Sequence, residues 1–122
     1  MVNQKSKAMN RIQSTERPAP FTANPGQPTR NVNFGIQEEA EGYSYYSVTV
    51  PIARWDYDNI VSAIVTEEYP NDRMQAIQNN FLKSLRGDAG AKGDDYLQEF
   101  NDMQAWRDLA KASAHEVLGD TV

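Results

Sequence analysis

The sequence predicts an α+β domain: an N-terminal β-hairpin followed by three helices, the last one long. Three observations carry that prediction. Between residues 31 and 52, apolar and aromatic residues alternate with polar ones at the period of two of half-buried strands. From Tyr57 to Leu118 the apolar residues recur instead at steps of three and four, the spacing of amphipathic helices. Pro51, Pro70, Gly87 and Gly119 then stand where that periodicity breaks, so they divide the chain into elements.

The first strand is expected around Val32, Phe34 and Ile36, which alternate with Asn31, Asn33 and Gly35. The polar run from Gln37 to Gly42 reads as the connection. In the second strand Tyr46, Val48, Val50 and Ile52 share one face, and Tyr45, Ser47 and Thr49 share the other. Both runs are rich in β-branched and aromatic residues, which favours an antiparallel hairpin. Pro51 has no N–H to give to a ladder, so this strand ends there or lies at an edge.

Asp56 is placed to cap the first helix, with Trp55 and Ile60 at hydrophobic-staple spacing. Tyr57, Ile60, Val61, Ile64 and Val65 then form one apolar stripe. Tyr69 precedes Pro70, which disfavours the α region and ends the helix. A second helix is expected from near Asp72, which has capping-box spacing to Gln75. Its stripe is Met74, Ile77, Phe81, Leu82 and Leu85, and Gly87 is its stop. Residues 87–95 read as a glycine-punctuated loop. The third helix is expected from near Asp95, again with capping-box spacing to Gln98, to Leu118, with Gly119 as its stop. Such a helix is about 36 Å long. Its packing face is Phe100, Met103, Trp106, Ala110, Ser113 and Val117.

Length and charge set the domain organisation. A chain of 122 residues has room for one domain. Its mean hydropathy of -0.71 is low for a compact unit, so part of the chain is expected outside the core. Residues 1–30 carry Lys5, Lys7, Arg11, Arg17 and Arg30 against Glu16 alone, and hold Pro18, Pro20, Pro25 and Pro28. The remaining residues are strongly acidic and bring the chain to a net charge of -5. The expectation is a flexible basic N-terminal arm over 1–30 and a single α+β domain over 31–119. With few charges and no interleaved aromatics, the arm is poorly suited to nucleic acid, and the acidic domain opposes such contacts.

Several chemistries are disfavoured outright. The chain has no cysteine, which excludes disulfides, thiolate metal sites and thiol catalysis. His115 is the only histidine, so one chain cannot build a two-histidine metal site; it reads as a surface or capping residue near a helix end. The loop from Gly87 to Asp95 lacks the GxxxxGK[ST] of a phosphate-binding loop and the spacing of a calcium loop, and reads as a helix–helix connection. Glu67 and Glu68 are adjacent and read as solvated; Glu99 and Asp102 lie one turn apart without a glycosidase or nuclease pattern. No catalytic, cofactor-binding or metal-binding residue is assigned, and no apolar run is long enough to span a bilayer.

What remains are contacts. Tyr43 and Tyr45 fall on the sheet face opposite the expected core, where they make an exposed patch suited to a protein interface unless the arm or a helix covers them. Arg54 and the arm residues Lys5, Lys7, Arg11 and Arg17 complete the candidate interface. A two-stranded sheet is marginal alone, and its open edge and the long third helix favour a homo-oligomer.

VNFGI at 32–36, the tyrosine-rich strand ending in VTVP, WDYDNIVSAIV, YPNDRMQAIQNN and MQAWRDLAK together resemble a group of small proteins encoded in prophages and phages of gut Bacteroidales. The likeness covers roughly residues 31–118. That group has no assigned activity, so the resemblance implies a setting and no functional residue. It implies a non-enzymatic interaction or structural module, as a virion component or assembly factor, located in the host cytoplasm or the virion. The alternative is a regulatory protein that binds a host enzyme or nucleic acid.

Overall fold

The computed structural model describes residues 9–119. Four antiparallel strands, β1 (Ile12–Ser14), β2 (Phe21–Ala23), β3 (Thr29–Glu39) and β4 (Gly42–Pro51), precede three helices, α1 (Tyr57–Glu68), α2 (Asn71–Leu85) and α3 (Gly93–Leu118). The sheet order is β1-β4-β3-β2. The predicted hairpin is its centre, β3 and β4, but the sheet has four strands where the sequence pattern suggested two. The expectation of a flexible arm is corrected over its two strand segments: β1 pairs with β4 and β2 pairs with β3. Each is three residues long and flanked by polar or proline residues, so neither shows a period of two. Their pairing covers three residues on each outer edge of the hairpin, edges that the sequence left open for a neighbour. Lys5 and Lys7 lie outside the described residues.

One sheet face packs on the helices. Val32, Phe34, Tyr46, Val48 and Val50 point inward and meet Ile60 and Ile64 of α1 and Met103, Trp106, Ala110, Ala114 and Val117 of α3 in one core. Trp106 is central. Its ring meets Phe34 and Tyr46 edge-on at centroid distances of 5.7 and 5.4 Å, and its indole N–H donates to the carbonyl of Ile64 at 3.1 Å. The sheet is thus locked to α3 by apolar rings, and α3 to α1 by a buried hydrogen bond.

The helix boundaries follow local chemistry in part. Asp56 accepts the backbone N–H of Asn59 at 2.9 Å, the expected N-cap. That hydrogen bond, joined by one from the Asn59 side chain, holds the Asp56 carboxyl below the usual carboxylate range. Trp55 packs against the core but also meets Phe21 of β2 edge-on at 5.4 Å, with the Arg30 guanidinium over both rings. The capping boxes expected for the second and third helices do not form. α2 starts behind Pro70, and the Asp72 carboxylate instead accepts its neighbour Arg73 N–H at 2.9 Å. Glycine-punctuated residues 87–95 include a 3-10 turn at Gly90–Lys92 that runs directly into α3 at Gly93, earlier than Asp95. Gly119, at φ 76°, stops α3 as predicted.

The predicted stripe of α3 is buried from Met103 to Val117. That of α2 is buried only at Ile77: Leu82 is 50% and Leu85 66% exposed. The cause is geometric. The far ends of α2 and α3 pack on each other, with Phe81 and Phe100 stacked at 3.8 Å, and no sheet lies beneath them.

Candidate interaction surface

Strand alternation assigns the outer sheet face. Cross-strand partners share a face, so Ile12 and Tyr45, Ser14 and Tyr43, Asn33 and Ser47, and Asn31 and Thr49 all project away from the helices. Among the described residues no helix packs on this side. Its middle is a polar lattice: Ser47 Oγ donates to Asn33 Oδ1 at 3.0 Å, Thr49 Oγ1 to Asn31 Oδ1 at 2.9 Å, and Asn24 Nδ2 to the same Asn31 oxygen at 3.0 Å. The Asn33 amide donates to the carbonyl of Ala19 at 2.9 Å, which ties the β1–β2 connection to β3. Beside this lattice, towards the β3–β4 turn, lie Ile12, Tyr43 and Tyr45, the apolar part of the face.

Tyr43 and Tyr45 are therefore placed on the predicted face, half-buried, with β1 alongside them. The other candidates do not join them. Arg54 is exposed in the 3-10 turn after β4, separated from Tyr43 by nearly the whole strand, roughly 25 Å of extended chain. Arg11 is not a free arm charge. Its guanidinium donates to Ser44 Oγ at 2.8 Å, to the Ser44 carbonyl at 2.9 Å and to the carbonyl of Gly35, and it lies 4.4 Å from the Tyr46 ring centroid. Ser44 Oγ in turn donates to Glu39 at 2.5 Å. Arg17 is exposed and lies against the edge of β3.

Comparison with protein-family models, with curated proteins and with solved structures returns no match.

Among the described residues, no group of three or more His, Cys, Asp or Glu is placed to hold a metal ion. His115 is half-buried against the ring of Tyr57, with centroids 4.7 Å apart. Glu68, expected to be solvated, is instead 2% exposed: it turns inward at the end of α1, with Arg73 3.8 Å away. The Arg73 guanidinium also donates to the Glu68 carbonyl at 3.0 Å and lies 4.7 Å from the Tyr69 ring centroid. Adjacent residues on a helix point in different directions, so the sequence shows that Glu67 and Glu68 differ but not which one is buried. No helix of the described residues is long and apolar enough to cross a membrane.

Tyr69 is pushed above the ordinary tyrosine value, first by burial and then by the negative charge of Glu68, with smaller contributions from Asp102 and Glu99 and with Arg73 opposing. A folded pKa above the unfolded one stabilises the native state fully below about pH 10, and this stability is lost as pH rises through the folded value. Thermal melts between about pH 9 and pH 12 are expected to fall less steeply for Tyr69→Phe than for the parent. Parallel curves would show that Tyr69 is not the group responsible.

Proposed function

We propose that this protein is a non-enzymatic interaction module that associates through the outer face of its sheet. The observation that carries the proposal is the helix-free face with Ile12, Tyr43 and Tyr45 grouped beside a satisfied polar lattice. Tyrosines supply a large rigid apolar area with a polar tip, which suits a surface that is wet before association and buried after it. The Asn, Ser and Thr side chains already hydrogen-bond one another, so covering them leaves few polar groups unpaired. The setting we propose is that of the phage and prophage proteins the sequence resembles, as a virion-associated component or an assembly factor. The first partner to test is a second copy of the chain.

The test is light scattering after size exclusion over a concentration series, on the parent and on Tyr43→Ser/Tyr45→Ser. A defined oligomer that dissociates in the double variant, with far-UV dichroism unchanged, is the expected result. A monomer at every concentration would refute self-assembly and move the reading to a regulatory protein that uses the same face on a host partner.

A further inference from the structure

A second feature lies at the other end of β3 from β2, and the sequence gives no hint of it. The register of β3 against β4 shifts between Phe34 and Gln37, a β-bulge with Gly35 at φ 61°. Arg11 holds the bulge by donating to the Gly35 carbonyl. On its other side β3 is paired only as far as Asn33, whose N–H donates to the Pro20 carbonyl at 2.9 Å. The strand beyond that point therefore leaves a cleft of about 280 Å³ between its edge and the C-terminal half of α3. Ala112 and Ser113 contribute small side chains to its wall, and Ser113 Oγ is already spent on the Leu109 carbonyl at 2.8 Å.

The lining of this cleft is chemically uneven. Phe34, Ile36, Leu109 and Val117 supply apolar surface, while Arg11, Arg17 and Glu116 are its charged groups, Arg11 already bonded to Ser44 and to the Gly35 carbonyl. Arg17 makes no hydrogen bond or ion pair with any described residue, and Glu116 does not approach it within ion-pair distance. An unpaired guanidinium beside an apolar cleft complements a single carboxylate attached to an apolar chain, because only Arg17 offers a planar pair of donors that is not already used. A second carboxylate on the same ligand would find no second unused guanidinium pair in the lining, and would add its charge to that of Glu116.

We propose that the cleft between the β3 bulge and α3 binds a small amphipathic monocarboxylate, its carboxylate on Arg17 and its chain against Phe34, Ile36, Leu109 and Val117. Such a group is presented by a free short-chain acid or by the apolar C-terminus of a peptide. The cleft is separate from the tyrosine face and does not depend on it.

The test is an amide NMR titration of the full chain with hexanoate, N-acetyl-leucine, hexanol and adipate. Hexanoate or N-acetyl-leucine is expected to shift the resonances of residues 34–37 and 109–117. Hexanol and adipate are expected to bind at least about fivefold more weakly, since one lacks the charge-assisted pair and the other brings a second negative charge. Tighter binding of N-acetyl-leucine than of hexanoate assigns the carboxylate to a peptide C-terminus, and the reverse order assigns it to a free acid. Arg17→Gln, which removes no internal bond, is expected to lower carboxylate affinity to the level of hexanol; Leu109→Trp fills the cleft and is expected to abolish the shifts. Absence of shifts at these residues with both carboxylates overturns the proposal. So does equal binding of hexanol, or an Arg17→Gln protein that binds as the parent does.

Discussion

Replacing Trp106 with alanine is expected to cost about 3–5 kcal/mol of folding stability, the range for removing a fully buried indole. The residue is 2% exposed and touches every layer of the fold: Phe34 of β3, Tyr46 of β4, and through its N–H the carbonyl of Ile64 in α1. Alanine leaves a cavity that the sheet and α1 cannot both collapse into, because each is held by its own backbone hydrogen bonds. A domain of this size has a total stability of about 5–15 kcal/mol, so the variant stands near the threshold of folding. Trp106→Phe separates the two contributions. It keeps an aromatic ring against Phe34 and Tyr46 but loses the hydrogen bond, and is expected to cost about 1–2 kcal/mol. Urea denaturation followed by far-UV dichroism measures both, and Trp55 remains as a fluorophore for an independent probe. A loss below about 1.5 kcal/mol for the alanine variant would show that the core does not centre on this ring.

Gly42→Ala is expected to destabilise the protein by about 2–3 kcal/mol and to release β1 from the sheet. Gly42 has φ 136°, outside the region open to other residues, and a Cβ there would stand 2.3 Å from the Ser14 carbonyl oxygen and 3.1 Å from the Thr15 Cα. Both are backbone atoms, so no rotamer change relieves the clash. The strand that must move is β1, which also carries the approach of Arg11 to Ser44, Gly35 and Tyr46. Hydrogen exchange is therefore expected to show loss of protection at the amides of β1 and its partners on β4, beyond the fall in global stability. Gly26→Ala is the control. Its φ is 78° but nothing lies within 4 Å of the added carbon, so only backbone strain of about 1 kcal/mol is expected. If the two variants lose equal stability, the close approach of β1 to the hairpin turn is not significant.

Parts of this architecture are written in single stretches of sequence. α1 is the clearest case. Its cap, its apolar stripe and its stop before Pro70 lie within one continuous segment, each acting on near neighbours. The central hairpin is legible for the same reason, since Val32 and Phe34 on one strand and Tyr46, Val48 and Val50 on the other show the period of two. The face assigned to Tyr43 and Tyr45 followed from that alternation alone. β1 and β2 are illegible because three residues are too few to display a period, and what holds them is distant: Arg11 bonds Ser44 across 33 positions, and Asn33 bonds Ala19 across 14. Glycine at position 35 was visible as an alternating polar site, yet nothing local distinguishes an ordinary strand glycine from one that opens a bulge.

The sequence by itself determined the α+β class, the central hairpin, the ends of α1, the buried face of α3 and which tyrosines point away from the core. Each depends on periodicity or on capping between residues a few positions apart, interactions that near neighbours in the chain can set. Only the tertiary structure decided that the basic N-terminal segment adds a short strand on each side of the hairpin, that Arg11 is internal and Arg17 has no partner among the described residues, that Glu68 is buried, and that α2 leaves Leu82 and Leu85 in solvent. Those outcomes turn on which surfaces meet across long separations in the chain. A charged side chain has no intrinsic burial: the partner that folding brings to it, Ser44 and Tyr46 for Arg11 and none among the described residues for Arg17, sets its role.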